Sequence, residues 1–94
     1  MDKAEARLIM ERRVAELRQQ PYAGLRDKWL GQPDCEQVTG AGGVVYQVEI
    51  EGVWDDRKAE HLRLVVSIDD GGWRAFAPLT DSFIVAPDGS FVGE

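Results

Sequence analysis

The stretch Val44-Val45-Tyr46-Gln47-Val48-Glu49-Ile50-Glu51-Gly52-Val53-Trp54 alternates strictly between apolar and polar residues from Tyr46 to Glu51. In an extended chain Val44, Tyr46, Val48, Ile50 and Trp54 fall on one side, and Val45, Gln47, Glu49, Glu51 and Val53 on the other. Period-two alternation with β-branched residues marks a strand with one buried face, because successive Cβ atoms of extended backbone point to opposite sides. Residues 62–68 repeat the pattern. Leu62, Leu64, Val66 and Ile68 share one face; His61, Arg63, Val65 and Ser67 share the other. The link 55–60 is short and polar, so the two runs are expected to form an antiparallel hairpin with one apolar face.

Outward from this hairpin the chain is punctuated by turns. Asp69-Asp70-Gly71-Gly72 follows the second strand, and residues 73–77 read as a further strand ending near Pro78. Pro87-Asp88-Gly89 separates residues 82–86 from 90–92 and predicts a short terminal hairpin. On the other side, Gly40-Ala41-Gly42-Gly43 is a flexible turn. A phosphate-cradling loop would lead into a helix and carry a Lys-Ser/Thr pair, and this one leads into a strand. Residues 35–43 show no periodicity that assigns them an element.

Residues 3–19 are rich in good helix formers, and Ala6, Met10, Val14 and Leu17 form one stripe at helical spacing. Pro21 ends that helix and allows a second through Leu30, with Tyr22, Leu25 and Trp29 on one face. The predicted fold is therefore α+β and a single domain over 1–94, with a helical segment at 1–31 and an antiparallel sheet at 43–94. A long N-terminal helix and a short second helix pack on one face of a meander of four to five strands. The arrangement resembles the cystatin-like and nuclear-transport-factor-like shapes in architecture alone, and architecture does not carry function.

Composition restricts the setting. The 94 residues are 44% hydrophobic and 30% charged, enough for one modest core. A single cysteine, Cys35, excludes an intramolecular disulfide, the charged N-terminus is unlike a signal peptide, and no apolar run suits a membrane span. A cytoplasmic protein without membrane contact is expected. The net charge of −6 is unevenly spread. Residues 1–31 hold seven basic and five acidic residues, and residues 32–94 hold four and twelve, so the halves carry +2 and −8. An acidic sheet half argues against nucleic acid, whose phosphates require cations, and suits a basic protein partner.

Candidate chemistry is sparse. His61 is the single histidine and has no sequence-evident partner beyond Arg63. Cys35 is flanked by Asp34 and Glu36, whose charge disfavours a thiolate, so neither residue is expected to be catalytic. The carboxylate pairs Asp55-Asp56 and Asp69-Asp70 sit in successive turns, which lie at opposite ends of a meander, and neither fits a calcium loop. No metal or cofactor is expected. The candidate binding residues are Glu49, Glu51, His61 and Arg63 on the outward sheet face, joined by Trp73 near the glycine turn. Ala4, Leu8 and Ala15, opposite the core stripe of the first helix, and an open sheet edge together predict a weak homodimer. The expected function is a small non-catalytic interaction module, immunity- or regulator-like, directed at a basic protein. The alternatives are a small-molecule or enzymatic pocket between helix and sheet, and a purely structural homo-oligomeric domain.

Overall fold

Asp2 caps the first helix, its carboxylate accepting from the Glu5 N–H at 3.1 Å, and helix α1 runs over Lys3–Arg18. Pro21 caps helix α2, Tyr22–Trp29. Four strands follow: β1 Asp34–Thr39, β2 Val45–Trp54, β3 Leu62–Asp69 and β4 Leu79–Val85. This computed structural model describes residues 2–71 and 78–94. The strand expected at 73–77, and Trp73 with it, lie outside the described residues.

All neighbouring strands pair antiparallel in the order β1-β2-β3-β4, as a meander requires. The 44–54 and 62–68 runs pair with Ile50 opposite Val66 and Val48 opposite Ile68, so their apolar sets share one face. Both helices lie on that face, α1 against β3 and β4 and α2 against β2 and β3. The core comprises Ala6, Met10, Val14 and Leu17 from α1 and Leu25 and Trp29 from α2. Tyr46, Val48, Ile50, Leu62, Leu64, Val66, Ile68, Phe83 and Val85 complete it from the sheet. Among the described residues no helix is long and apolar enough to cross a membrane.

Three details depart from the sequence expectation. The unassigned residues after Pro33 form β1, an edge strand with mostly exposed side chains. Val44 and Trp54, expected on the buried face, are 41% and 37% exposed: Val44 precedes the first residue of β2, and Trp54 is its last, beyond the stretch that β1 pairs. The terminal hairpin is reduced to a single bridge between Val85 and Phe91, closed by Ala86 N–H to Ser90 O at 2.9 Å.

The end of α1 is tied to the C-terminal residues. Arg18, in the last turn of α1, donates to both oxygens of Glu94 at 2.8 and 2.7 Å and lies 3.9 Å from the Phe91 ring centroid. The Arg18 guanidinium holds the Glu94 carboxyl below its ordinary range.

Candidate functional site

Among the described residues the sheet carries helices on one side only, and its other side is a surface built from the alternate residues of four strands. The register sets these residues in rows. Cys35, Glu49, Ser67 and Thr80 form one row; Glu51, Val65 and Ser82 form the next; Val53, Arg63 and Ile84 form a third. Gln37, Gln47 and Asp69 flank the first row on its other side. The face is thus a polar field with Val53, Val65 and Ile84 as half-buried apolar patches.

Glu49 is exposed and Glu51 half-buried on this face, and among the described residues neither makes an ion pair. Arg63, the cation of the same face among the described residues, does not join them. Its guanidinium donates to Asp55 Oδ1 at 2.9 and 2.7 Å and to Ser82 Oγ at 2.9 Å. The positive charge is therefore engaged at the β2–β3 turn, and the two glutamates are left as negative charge on the open sheet.

His61 stands apart from this group. It precedes β3 by one residue, six positions before Ser67, the residue opposite Glu49. Six residues of extended chain separate them by roughly 20 Å. The backbone N–H groups of His61 and Glu60 donate to Asp56 Oδ1 at 2.9 Å each and lower the Asp56 carboxyl below its ordinary range. Thus Asp56 orders the turn and Asp55 holds Arg63, while Asp69, at the far end of β3, accepts from the Gly71 N–H at 2.7 Å. The Cys35 Sγ is exposed on the outer face and donates to Gln47 Oε1 at 3.4 Å. The structure therefore gathers Glu49 and Glu51 with Arg63 beside them, leaves His61 at the rim, and sets Cys35 well away from His61.

On the helix side, the space between helices and sheet is largely filled by apolar side chains, and Tyr46 places a hydroxyl at its edge. That hydroxyl donates to Glu5 Oε1 at 2.8 Å, while Glu5 Oε2 accepts from the Ala41 N–H at 3.1 Å. A Cβ at Gly40 would fall on the Glu5 carboxylate and 2.9 Å from the Tyr46 ring, so glycine is what lets the turn close over this contact. Glu5 thereby binds the start of α1 to the β1–β2 turn. The hydrogen bond to Glu5, reinforced by burial, pushes the Tyr46 hydroxyl up to about 12. An unfolded tyrosine ionises near 10. A folded value above the unfolded one means stability fully present below pH ~10 and lost as pH rises towards ~12. Alkaline unfolding is therefore expected to be steep across that window in the parent and shallower in Tyr46→Phe. Superimposable stability curves for the two proteins, followed by circular dichroism, would show that the bond is not made in solution.

A concavity opens between α1 and β1. It is a cleft of about 180 Å³ with Ile9, Val38 and Val48 as its apolar floor and Arg12, Glu16 and the Arg13–Glu36 pair around it. Arg13 donates to both Glu36 oxygens at 3.0 Å, with its guanidinium 5.9 Å from the Trp29 ring centroid. Small-molecule pockets usually span roughly 300–1,000 Å³, so the cleft is small for that purpose. No family model, curated protein or solved structure matches this chain.

Proposed function

We propose that this protein is a small, non-catalytic docking module that takes a basic protein partner on the outer face of its sheet. The observation that carries this reading is the pair Glu49 and Glu51 on a helix-free face whose arginine is already engaged by Asp55. Carboxylates without a local counter-charge attract a cationic surface, and the valine and isoleucine patches between the rows supply apolar contact. An immunity- or regulator-type role in the cytoplasm fits this chemistry, since such proteins act by covering a basic surface rather than by transforming a substrate. The lone free cysteine supports a reducing compartment.

The test is titration calorimetry against a small basic protein of pI above about 9. Glu49→Lys with Glu51→Lys is expected to weaken binding at least tenfold, the effect of removing roughly 1.4 kcal/mol of attraction. Glu11→Lys with Glu16→Lys, on the helix side, is expected to leave it near the parental value. The reverse pattern would place the docking surface on α1 and defeat this reading.

A further inference from the structure

One edge of the sheet is left unpaired among the described residues. Among the described residues β1 pairs only with β2, and no bridge covers its other side. At the opposite edge, the C-terminal segment covers part of β4 through Val92 N–H to Ile84 O and the Val85–Phe91 bridge. An open edge presents a row of backbone donors and acceptors and is normally charged, covered or paired. The bare edge here also borders the apolar cleft beneath α1.

We propose that β1 pairs with β1 of a second copy, antiparallel about a two-fold axis through Gln37, to give one continuous eight-stranded sheet. This surface is distinct from the outer sheet face proposed for the basic partner. A sheet continued with both helix layers on the same side sets inward residues opposite inward ones, so the axis must pass through a residue rather than between two. An axis at Glu36 sets Glu36 against its own counterpart, and an axis at Cys35 sets Asp34 against Glu36. Like charges directly opposite destabilise a pair of strands. An axis at Val38 avoids this but pairs only residues 37–39 of the strand with each other. An axis at Gln37 pairs residues 35–39, with Cys35 facing Thr39 of the second copy, Glu36 facing Val38, and Gln37 facing Gln37.

That register also uses the cleft. Val38 of the second copy extends the inward row of Val48 and Glu36, beside the apolar floor that the cleft leaves open. The charge of Glu36 is already held by Arg13 of its own chain, so a valine opposite it strands no carboxylate. A contact limited to one pair of short strands and a cleft is small, and small interfaces are weak and transient. The dimer is therefore expected to build up only at high concentration.

Sedimentation velocity from micromolar to millimolar concentration is expected to show the 10.5 kDa chain passing to a species of twice that mass. Gln37 is exposed, so Gln37→Glu and Gln37→Lys should each fold as the parent does, checked by thermal melting. Each places like charges on the axis and should weaken self-association by up to about fivefold. An equimolar mixture of the two should restore it as a heterodimer. As a second readout, Gln37→Cys in a Cys35→Ser background should form an intermolecular disulfide with oxidised glutathione. Directly opposite strand residues have Cα atoms about 4.5–5.5 Å apart, inside the disulfide range. The parent Cys35, which faces Thr39 in this register, should not cross-link. A single 10.5 kDa species at every concentration would overturn the proposal. So would a dimer indifferent to both Gln37 charges but dissociated by Leu8→Glu, which would put the contact on α1. Neither result bears on the calorimetric test of the outer face.

Discussion

Val66→Asp is expected to leave the protein largely unfolded at neutral pH. Val66 is fully buried at the centre of β3, between Ile50 of β2 and Asp81 of β4 in the register. The substitution loses the burial of a valine, worth about 1.5–3 kcal/mol. It also buries a carboxylate with no cation opposite it, at an effective cost of several kcal/mol more. Asp81 directly across the strand pair adds repulsion. Domains of this length are stable by about 5–14 kcal/mol, so the combined loss consumes most or all of that margin. The buried carboxyl would ionise above its unfolded value of about 3.9. It is therefore neutral and least harmful at low pH, and the deficit relative to the parent should shrink as pH falls towards that value. Val65→Lys is the control. One residue away, it points to the outer face opposite Glu51 and should melt close to the parent. A Val66→Asp protein with a parental urea midpoint at pH 7 would mean that the two faces have been exchanged.

Gly52→Ala and Gly52→Val are expected to form a graded series of the next largest losses. Gly52 lies on the inward face of β2, opposite Leu64, where the alternation would otherwise place an apolar side chain. The end of α2 occupies that space instead. A Cβ at Gly52 would stand 3.1 Å from Leu30 N, 3.1 Å from the Trp29 carbonyl carbon and 3.2 Å from Leu30 Cα. These are backbone atoms and cannot swing aside. The Gly31 N–H also donates to Gly52 O at 3.0 Å, so a shift of the helix end strains that bond as well. Overpacking of this kind costs about 1–3 kcal/mol. For alanine, better strand propensity offsets a fraction of the cost. Valine adds two more carbons to the same space and should exceed that range. At about 4–8 °C per kcal/mol, alanine should lower the thermal midpoint by something like 5–20 °C. Hydrogen exchange at the Gly31 amide should quicken in both variants. An alanine variant that melts with the parent, its Gly31 amide still protected, would show that the helix end does not seat against this strand.

The legibility of the sequence followed burial. In β2 and β3 the inward residues Tyr46, Val48, Ile50, Leu62, Leu64, Val66 and Ile68 are all buried, so selection for apolar side chains leaves an alternating record, broken at Gly52, where the backbone of α2 itself fills the space. In β1 the helices give little cover. Val38 is its one apolar inward residue and Glu36 is satisfied by Arg13, so Cys35-Glu36-Gln37-Val38-Thr39 carries no period to detect. Val44 and Trp54 show the opposite error. The alternation continues through them although both stand exposed at the ends of the strand. Gly52 interrupts the pattern for a reason that sequence spacing does not contain, the approach of a backbone from outside the hairpin.

The candidate site was legible in part for the same reason. Outward positions follow directly from the strand period, so Glu49, Glu51 and Arg63 could be assigned to one face. Which charges cancel depended on side-chain reach across a turn. Arg63 chose Asp55, eight residues back along the chain, over the glutamates of the neighbouring strand. His61 carried the same parity as Arg63 but lies past the strand end, where parity no longer defines a common surface.

One-sided helix cover has an effect before any contact is made. The helical segment carries +2 and the rest of the chain −8, and the fold stacks these as separate layers. A molecule with such charge separation has a heading in solution. An approaching cationic body feels a torque as well as an attraction, so the sheet side turns towards it during diffusion. Fewer collisions are then wasted on the wrong orientation, and the gain appears in the rate of encounter rather than in the strength of the final hold.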